Sequence, residues 1–193
     1  MSDFIIGSDE VGYGAWAGPL YVCAVLASKK WTGPAGLTDS KALTPTQRVH
    51  IYNQLVGLPL ALATVSSELI DMYGVKRALL SAHGEAIKVL LAQCPTAEVV
   101  VDGVLQPYGV PQARCIPKAD ATFPVVSAAS IVAKVNRDHV MSQYHQTYPY
   151  YGFDTGAGYG TKEHARGIAA HGLCPLHRTS YRPIREYLET HKK

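Results

Sequence analysis

The sequence predicts a single α/β domain, and three observations carry that prediction. Strand-like apolar runs come early and are joined by short connections, which suits antiparallel neighbours. A long amphipathic helix then leads into Glu98–Val101, a β-branched run with the unbroken apolarity of a buried parallel strand. A second long helix carries Ser127-Ala128-Ala129-Ser130, small enough to pack closely on a sheet. With 193 residues, the chain is long enough for one sizeable core.

In order, Phe4-Ile5-Ile6 forms a short strand that delivers Asp9 and Glu10 beyond its C-terminal side. Gly18-Pro19 opens a second strand over Leu20–Leu26, and residues 58–65 make a third. Thr44-Pro45-Thr46-Gln47 has the cap, proline and third-position glutamine of a helix start. Ser66-Ser67-Glu68 opens another helix, and residues 75–92 carry Leu79, Ala82, Ala86, Val89 and Leu90 on one face. Residues 113–116 are a fifth strand, 123–144 a helix, 152–160 a glycine-rich loop, and a basic helical region closes the chain. No repeat or linker interrupts it.

Composition narrows the function classes. The chain is 47% hydrophobic and 17% charged with a net charge of +3, which is ordinary for a soluble globular protein. From residue 161 onward Lys162, Arg166, Arg178, Arg182, Arg185, Lys192 and Lys193 gather, either a substrate-facing surface or a solvated tail. Cys23, Cys94, Cys115 and Cys174 contain no CxxC pair and read as reduced thiols, arguing against zinc. Neither a signal peptide nor an apolar run of membrane-spanning length is present, so a cytoplasmic location is expected.

The chemistry lies with four acids. Asp9, Glu10, Asp102 and Asp120 sit where a strand ends or a loop turns, each within two residues of a glycine or lysine. A buried unpaired carboxylate is costly, so such residues are not core filler. Gathered together they repel one another, and divalent cations relieve that repulsion. Metal-dependent phosphate chemistry follows as the expectation.

Seven segments carry a resemblance. They are Gly7-Ser8-Asp9-Glu10-Val11-Gly12, Asp39-Ser40-Lys41, Val101-Asp102-Gly103, Lys118-Ala119-Asp120, Ser127–Lys134 with Arg137-Asp138, Gly158-Tyr159-Gly160-Thr161 and His177-Arg178-Thr179-Ser180-Tyr181. In this order the chain resembles the type 2 ribonucleases H, the ribonuclease HII/HIII family, nearly end to end. The resemblance implies a ribonuclease H-like fold, a mixed five-stranded sheet flanked by helices, with a helical C-terminal region from about 145 that contributes to substrate binding. It implies a metal-dependent endoribonuclease acting on RNA/DNA hybrids and on ribonucleotides embedded in duplex DNA, leaving 5′-phosphate and 3′-hydroxyl ends. Asp9, Glu10, Asp102 and Asp120 are then the catalytic acids and the ligands of two Mg²⁺ or Mn²⁺ ions. Two such ions serve both ends of an in-line displacement.

For substrate binding the resemblance points to Gly12, Tyr13, Gly14, Lys41, Ser130, Lys134, Tyr159 and Arg178. Tyr159 matches a tyrosine that stacks on the sugar past an RNA–DNA junction. Lys41 and Lys118 either reach a phosphate or restrain a neighbouring carboxylate, and Ser130 either touches the nucleic-acid backbone or simply packs. Arg178 and Arg182 are expected on phosphates and His164, His171 and His177 at the surface or beside phosphates, while Arg137-Asp138 reads equally as a structural ion pair, which leaves Asp138 outside the catalytic set. Gly12-Tyr13-Gly14 departs from the Gly-Arg-Gly usual in ribonuclease HII. Together with Gly-Ser-Asp-Glu-Val-Gly it is similar to ribonuclease HIII, which prefers RNA tracts. The alternatives are therefore HIII-like specificity or a non-catalytic hybrid-binding module. The chain is expected to act as a monomer, and its tail, Tyr187–Lys193, shows no clear version of the family's clamp-binding peptide.

Overall fold

The computed structural model describes residues 2–191, so Lys192 and Lys193 of the basic tail lie outside the described residues. Five strands form one mixed sheet: β1 (Phe4–Val11), β2 (Leu20–Ser28), β3 (Leu60–Val65), β4 (Glu98–Asp102) and β5 (Arg114–Ile116), in the order β3-β2-β1-β4-β5. β1 runs antiparallel to β2 and parallel to β4, which runs parallel to β5. Helices α1 (Pro45–Gln54), α2 (Ser67–Tyr73), α3 (Val75–Gln93), α4 (Pro124–Thr147), α5 (Phe153–Gly156), α6 (Lys162–His171) and α7 (Arg182–Thr190) complete the order. None is long and apolar enough to cross a membrane.

The expected helix start at Thr44 is realised as a full capping box, in which Thr44 and Gln47 satisfy each other's backbone N–H groups. Two boundaries differ from expectation in ways that matter. β1 does not stop at Ile6: it continues through Asp9 and Glu10, which pair with Cys23 and Val22 of β2. The acids therefore project from inside a strand. Nor is 152–160 a loop throughout, because Gly152 (φ 59°) opens the short α5 and the glycine-rich turn begins only at Ala157.

The chain divides into two compact units. The first comprises the residues up to Val11, Tyr21–Thr64 and Leu79–Val135; the second comprises Gly12–Leu20, Val65–Ala78 and the chain from Asn136 on. In the first unit, Ile5, Val25, Val100, Val126, Ala129 and Ile131 share one core. Alternation along β1 sends successive side chains to opposite faces. Gly7 and Asp9 turn to α4, while Ser8 and Glu10 turn to His83 of α3. A Cβ on Gly7 would stand 2.6 Å from the Val126 nitrogen, so α4 lies directly against the β1 backbone. In the second unit Met141, Tyr151, Phe153, Ile168 and Ile184 pack together.

Candidate active site

The acids of the first unit are placed by backbone geometry. Asp9, buried on β1, accepts the Glu10 N–H at 2.7 Å. Burial, then the charges of Glu10 and Asp102, push its carboxyl well above the usual range, against a hydrogen bond from Ser130. Ser130 lies 2.9 Å from Ser40 Oγ. Since the Ser130 proton goes to Asp9, Ser40 is the donor in that pair, giving a Ser40→Ser130→Asp9 relay. Ser130 is buried and serves Asp9 rather than the nucleic-acid backbone, which corrects its placement as a substrate contact.

Asp102 ends β4, and its Oδ1 accepts the Ala119 N–H at 2.7 Å. That N–H is presented by a tight turn in which Lys118 takes a left-handed φ of 59°, an unfavourable conformation for a residue with a Cβ. Asp120 follows in the same 3₁₀ turn and is buried. Burial and the carboxylates of Asp39 and Asp102 raise its pKa, and Lys41 offsets them in part. For Lys41 the balance is reversed. Burial would lower its pKa, but Asp39, Asp9, Asp120 and Glu10 together raise it and hold the ammonium charged. Lys41 is thus a counter-charge to the cluster, while its side chain stays exposed.

Two neighbours were not anticipated as site residues. Asp39 accepts the Lys41 N–H at 2.9 Å and its carboxylate helps to raise the pKa of Asp120, so the Asp-Ser-Lys segment contributes its acid as well as its lysine. His83, buried in α3, approaches Glu10 with Nε2 3.7 Å from Oε2. Its Nδ1 lies 2.8 Å from Ser8 Oγ. Ser8 donates its only proton to the Cys23 carbonyl, so Nδ1–H of His83 donates to Ser8. The signal in the sequence was a lone histidine among Leu79, Ala82 and Ala86 on the buried helix face.

All four acids lie in one unit, yet they do not form a closed cage. Among the described residues no three His, Cys, Asp or Glu side chains are set to enclose an ion. Mg²⁺ does not require such a cage, since it keeps several waters and is usually held by one or two carboxylates plus substrate phosphates.

The remaining candidates belong to the second unit, except Lys134, which lies in the first. Tyr159 is exposed, with its hydroxyl accepting the Gly12 N–H at 3.1 Å and the Arg137 guanidinium 5.5 Å from its ring. Gly12 has φ 91° and no room for a Cβ, which would meet Arg137 Nε at 2.3 Å. Tyr13 and Gly14 are exposed beside it. Arg178 does not face phosphate. It is fully buried, and its guanidinium donates to the carbonyls of Gly12 (2.7 Å), Tyr13 (3.1 Å) and Gly18 (2.8 Å) and to the Tyr181 hydroxyl (2.7 Å). Its charge is spent on backbone. Arg137 is likewise buried and donates to the Pro19, Ala157 and Ala17 carbonyls. Arg182 is exposed and donates to Glu186 at 2.7 Å, whereas Lys134 is half-buried on α4.

His164 and His177 are not at the surface either. Both are buried, with their Nε2 atoms 3.0 Å apart, and only His171 is exposed, stacked on Tyr150. Burial lowers the pKa of both, and His177 falls to about 4. Because their folded pKa values lie below the unfolded value, the stability they confer is full above about pH 6.5 and lost as pH falls towards 4. Acid titration followed by tryptophan fluorescence is expected to show a stability decline across that window, reduced in His177→Gln.

A mixed sheet in this order, with acids on the adjacent strands β1 and β4, defines a ribonuclease H-like hydrolase. The family model described as Ribonuclease HII matches residues 6–184, and the chain belongs to that family, the type 2 ribonucleases H acting on RNA/DNA hybrids. It is 40% identical over 184 residues to the ribonuclease HII of Rhizobium etli (strain CIAT 652), covering 94% of this chain and 79% of that protein. Among solved structures it is similar to ribonuclease H2 from Pyrococcus horikoshii OT3 (TM-score 0.69, 24% identity, 97% and 98% of the two chains). It is also similar to Bst-RNase HIII in complex with Mn²⁺ (TM-score 0.72, 21% identity, 98% and 70%). These two likenesses speak to fold.

Proposed function

We propose that the protein is a monomeric endonuclease that cuts the RNA strand of hybrids and incises at ribonucleotides embedded in duplex DNA, leaving 5′-phosphate and 3′-hydroxyl ends. Asp9, Glu10, Asp102 and Asp120 would hold two Mg²⁺ or Mn²⁺ ions. The observation that carries this reading is the crowding of acids around Asp9: a buried carboxyl in the field of Glu10 and Asp102. The donor set fits hard cations, since it offers only oxygens. When bound, such ions supply Lewis-acid polarisation of the phosphate and an activated water.

The chain's own groups prepare that site. Ser130 and the Glu10 N–H orient Asp9, and the Ala119 N–H orients Asp102. Lys41 offsets the excess negative charge while its exposed ammonium stays available to a phosphate. Tyr159, Tyr13 and Gly14 are exposed for contact with the sugar–phosphate backbone, where a 2′-hydroxyl distinguishes RNA from DNA. Chelation is expected to abolish cleavage, and Mg²⁺ or Mn²⁺ to restore it. Restored binding without product would instead favour a hybrid-binding module.

Tyr13 favours a second reading of the specificity. It stands where an arginine is usual, and its carbonyl is held by Arg178 and Tyr181. Preference for RNA tracts over single ribonucleotides would follow if the missing charge matters. Rates on a duplex with one embedded ribonucleotide and on an uninterrupted hybrid decide between the readings. Both substrates are expected to be cut, and Tyr13→Arg is expected to raise the single-ribonucleotide rate relative to the hybrid. An unchanged ratio in Tyr13→Arg would remove Tyr13 from the account.

A further inference from the structure

The buried histidine pair leads to Tyr159. The Tyr159 carbonyl is 2.9 Å from His164 Nδ1 and also accepts the Thr161 N–H at 2.8 Å. A carbonyl only accepts, so His164 carries its proton on Nδ1 and, being neutral, offers a lone pair at Nε2. The facing Nε2 of His177, 3.0 Å away, must then be the donor. That leaves the His177 Nδ1 with a lone pair, and it accepts the Cys174 N–H at 2.9 Å. The carbonyl of Cys174 also lies 3.1 Å from Nδ1, but a donor there would leave two lone pairs opposed between the rings. One direction therefore satisfies every group: Cys174 N–H to His177, His177 to His164, His164 to the Tyr159 carbonyl.

The pair is sealed by aromatic rings. Tyr151 lies 4.9 Å from His177, and Phe153 5.4 Å from His164, each edge-on. Trp16 closes on His164 at 5.6 Å. Tyr159 is thus fixed at both ends, its carbonyl by this relay and its hydroxyl by the Gly12 N–H, while the ring is left exposed.

We propose that His164 and His177 are positioning residues that hold the exposed Tyr159 ring in one pose, and so set the preference for a ribonucleotide junction. The proposal rests on the reading of Tyr159 as a substrate contact. Neither histidine touches substrate; both act through the backbone of Tyr159. Displacement of a positioned group by about 1 Å can cost on the order of 100-fold, so a partial release is expected to cost roughly 10-fold.

The test combines amide hydrogen exchange at Gly12 and Thr161 with kcat and KM on the two substrates above. The variants are His177→Leu, His177→Gln, His164→Gln, Tyr159→Ala and the His177→Leu/Tyr159→Ala double. His177→Leu is expected to speed exchange at both amides and to lower the junction-to-hybrid ratio of kcat/KM by roughly 10-fold. His177→Gln, which keeps a donor towards His164, is expected to recover most of both. In the double variant the histidine change is expected to add nothing to the effect of Tyr159→Ala. His164→Gln keeps the acceptor facing His177 but loses the donor to Tyr159, so it reports on the relay even if His177→Leu does not fold. Unchanged exchange in the histidine variants overturns the proposal, as does an equal loss on both substrates tracking thermal stability. Faster exchange with an unchanged ratio in Tyr159→Ala would instead leave the positioning intact and remove Tyr159 as a substrate contact.

Discussion

Asp9→Asn is expected to lower kcat on an RNA/DNA hybrid by more than about 100-fold, since losing even an outer partner of a metal ligand costs up to about that much. The same variant is expected to be at least as stable to heat as the parent. Asp9 is buried beside two like charges, and its pKa is displaced upward, so its ionised form opposes folding at neutral pH. A neutral amide removes that repulsion and can still accept from Ser130 and the Glu10 N–H. Asp102→Asn keeps an acceptor for the Ala119 N–H, and Asp120→Asn removes a repulsion with Asp39 and Asp102. Loss of cleavage with retained or raised melting temperature marks acids kept for chemistry. Full activity in any of the three would dismiss the assignment, and a large fall in melting temperature would recast that acid as structural.

What could be read in the sequence depended on whether a residue's role is expressed by its type and local spacing. The four acids stood out because strands and glycine- or lysine-containing turns surround them, and parallel pairing of β1 with β4 places Asp9, Glu10 and Asp102 on neighbouring strands. The small residues of Ser127–Ser130 likewise signalled close packing, which Gly7 and α4 realise. Burial of polar groups was not legible. A histidine at position 83 looks the same whether it faces water or Glu10. Ser130 looked like a substrate contact because nothing local reveals that Asp9 accepts its proton. His164 and His177 read as surface or phosphate-side residues because their partners are each other and a carbonyl, and a carbonyl has no letter. Arg178 failed as a phosphate ligand for the same reason: its acceptors are the backbone oxygens of residues 12–18, far away in sequence.

The Arg178 correction has a test that separates the two roles. A phosphate contact, once removed, weakens substrate binding and lowers the salt slope by about one while leaving the fold alone. A buried guanidinium serving carbonyls behaves in the opposite way. Arg178→Ala would take both guanidinium donors from the Gly18 carbonyl and leave the Gly12 and Tyr13 carbonyls with the weaker Ala15 N–H and Tyr181 hydroxyl, each lost hydrogen bond from the charged group costing about 1.5–3 kcal/mol. At about 2–4 °C per kcal/mol for a chain of this size, a fall in melting temperature of roughly 10 °C or more is expected. Arg178→Lys should recover little, because an ammonium lacks the planar fork that spans several acceptors at once. Asp71 strengthens the case: its carboxylate accepts the backbone N–H and hydroxyl of both Thr179 and Ser180, fastening the turn that carries Arg178. Those bonds lower the Asp71 pKa against its partial burial, so Asp71→Ala is expected to destabilise in the same direction as Arg178→Ala and by less. Because Arg178 holds the carbonyls of Gly12 and Tyr13, its loss also frees the segment on which substrate choice depends. Any activity that survives in Arg178→Lys should therefore show an altered preference between the two substrates but an unaltered salt slope. An unchanged melting temperature with a reduced slope would return Arg178 to the phosphate-binding surface.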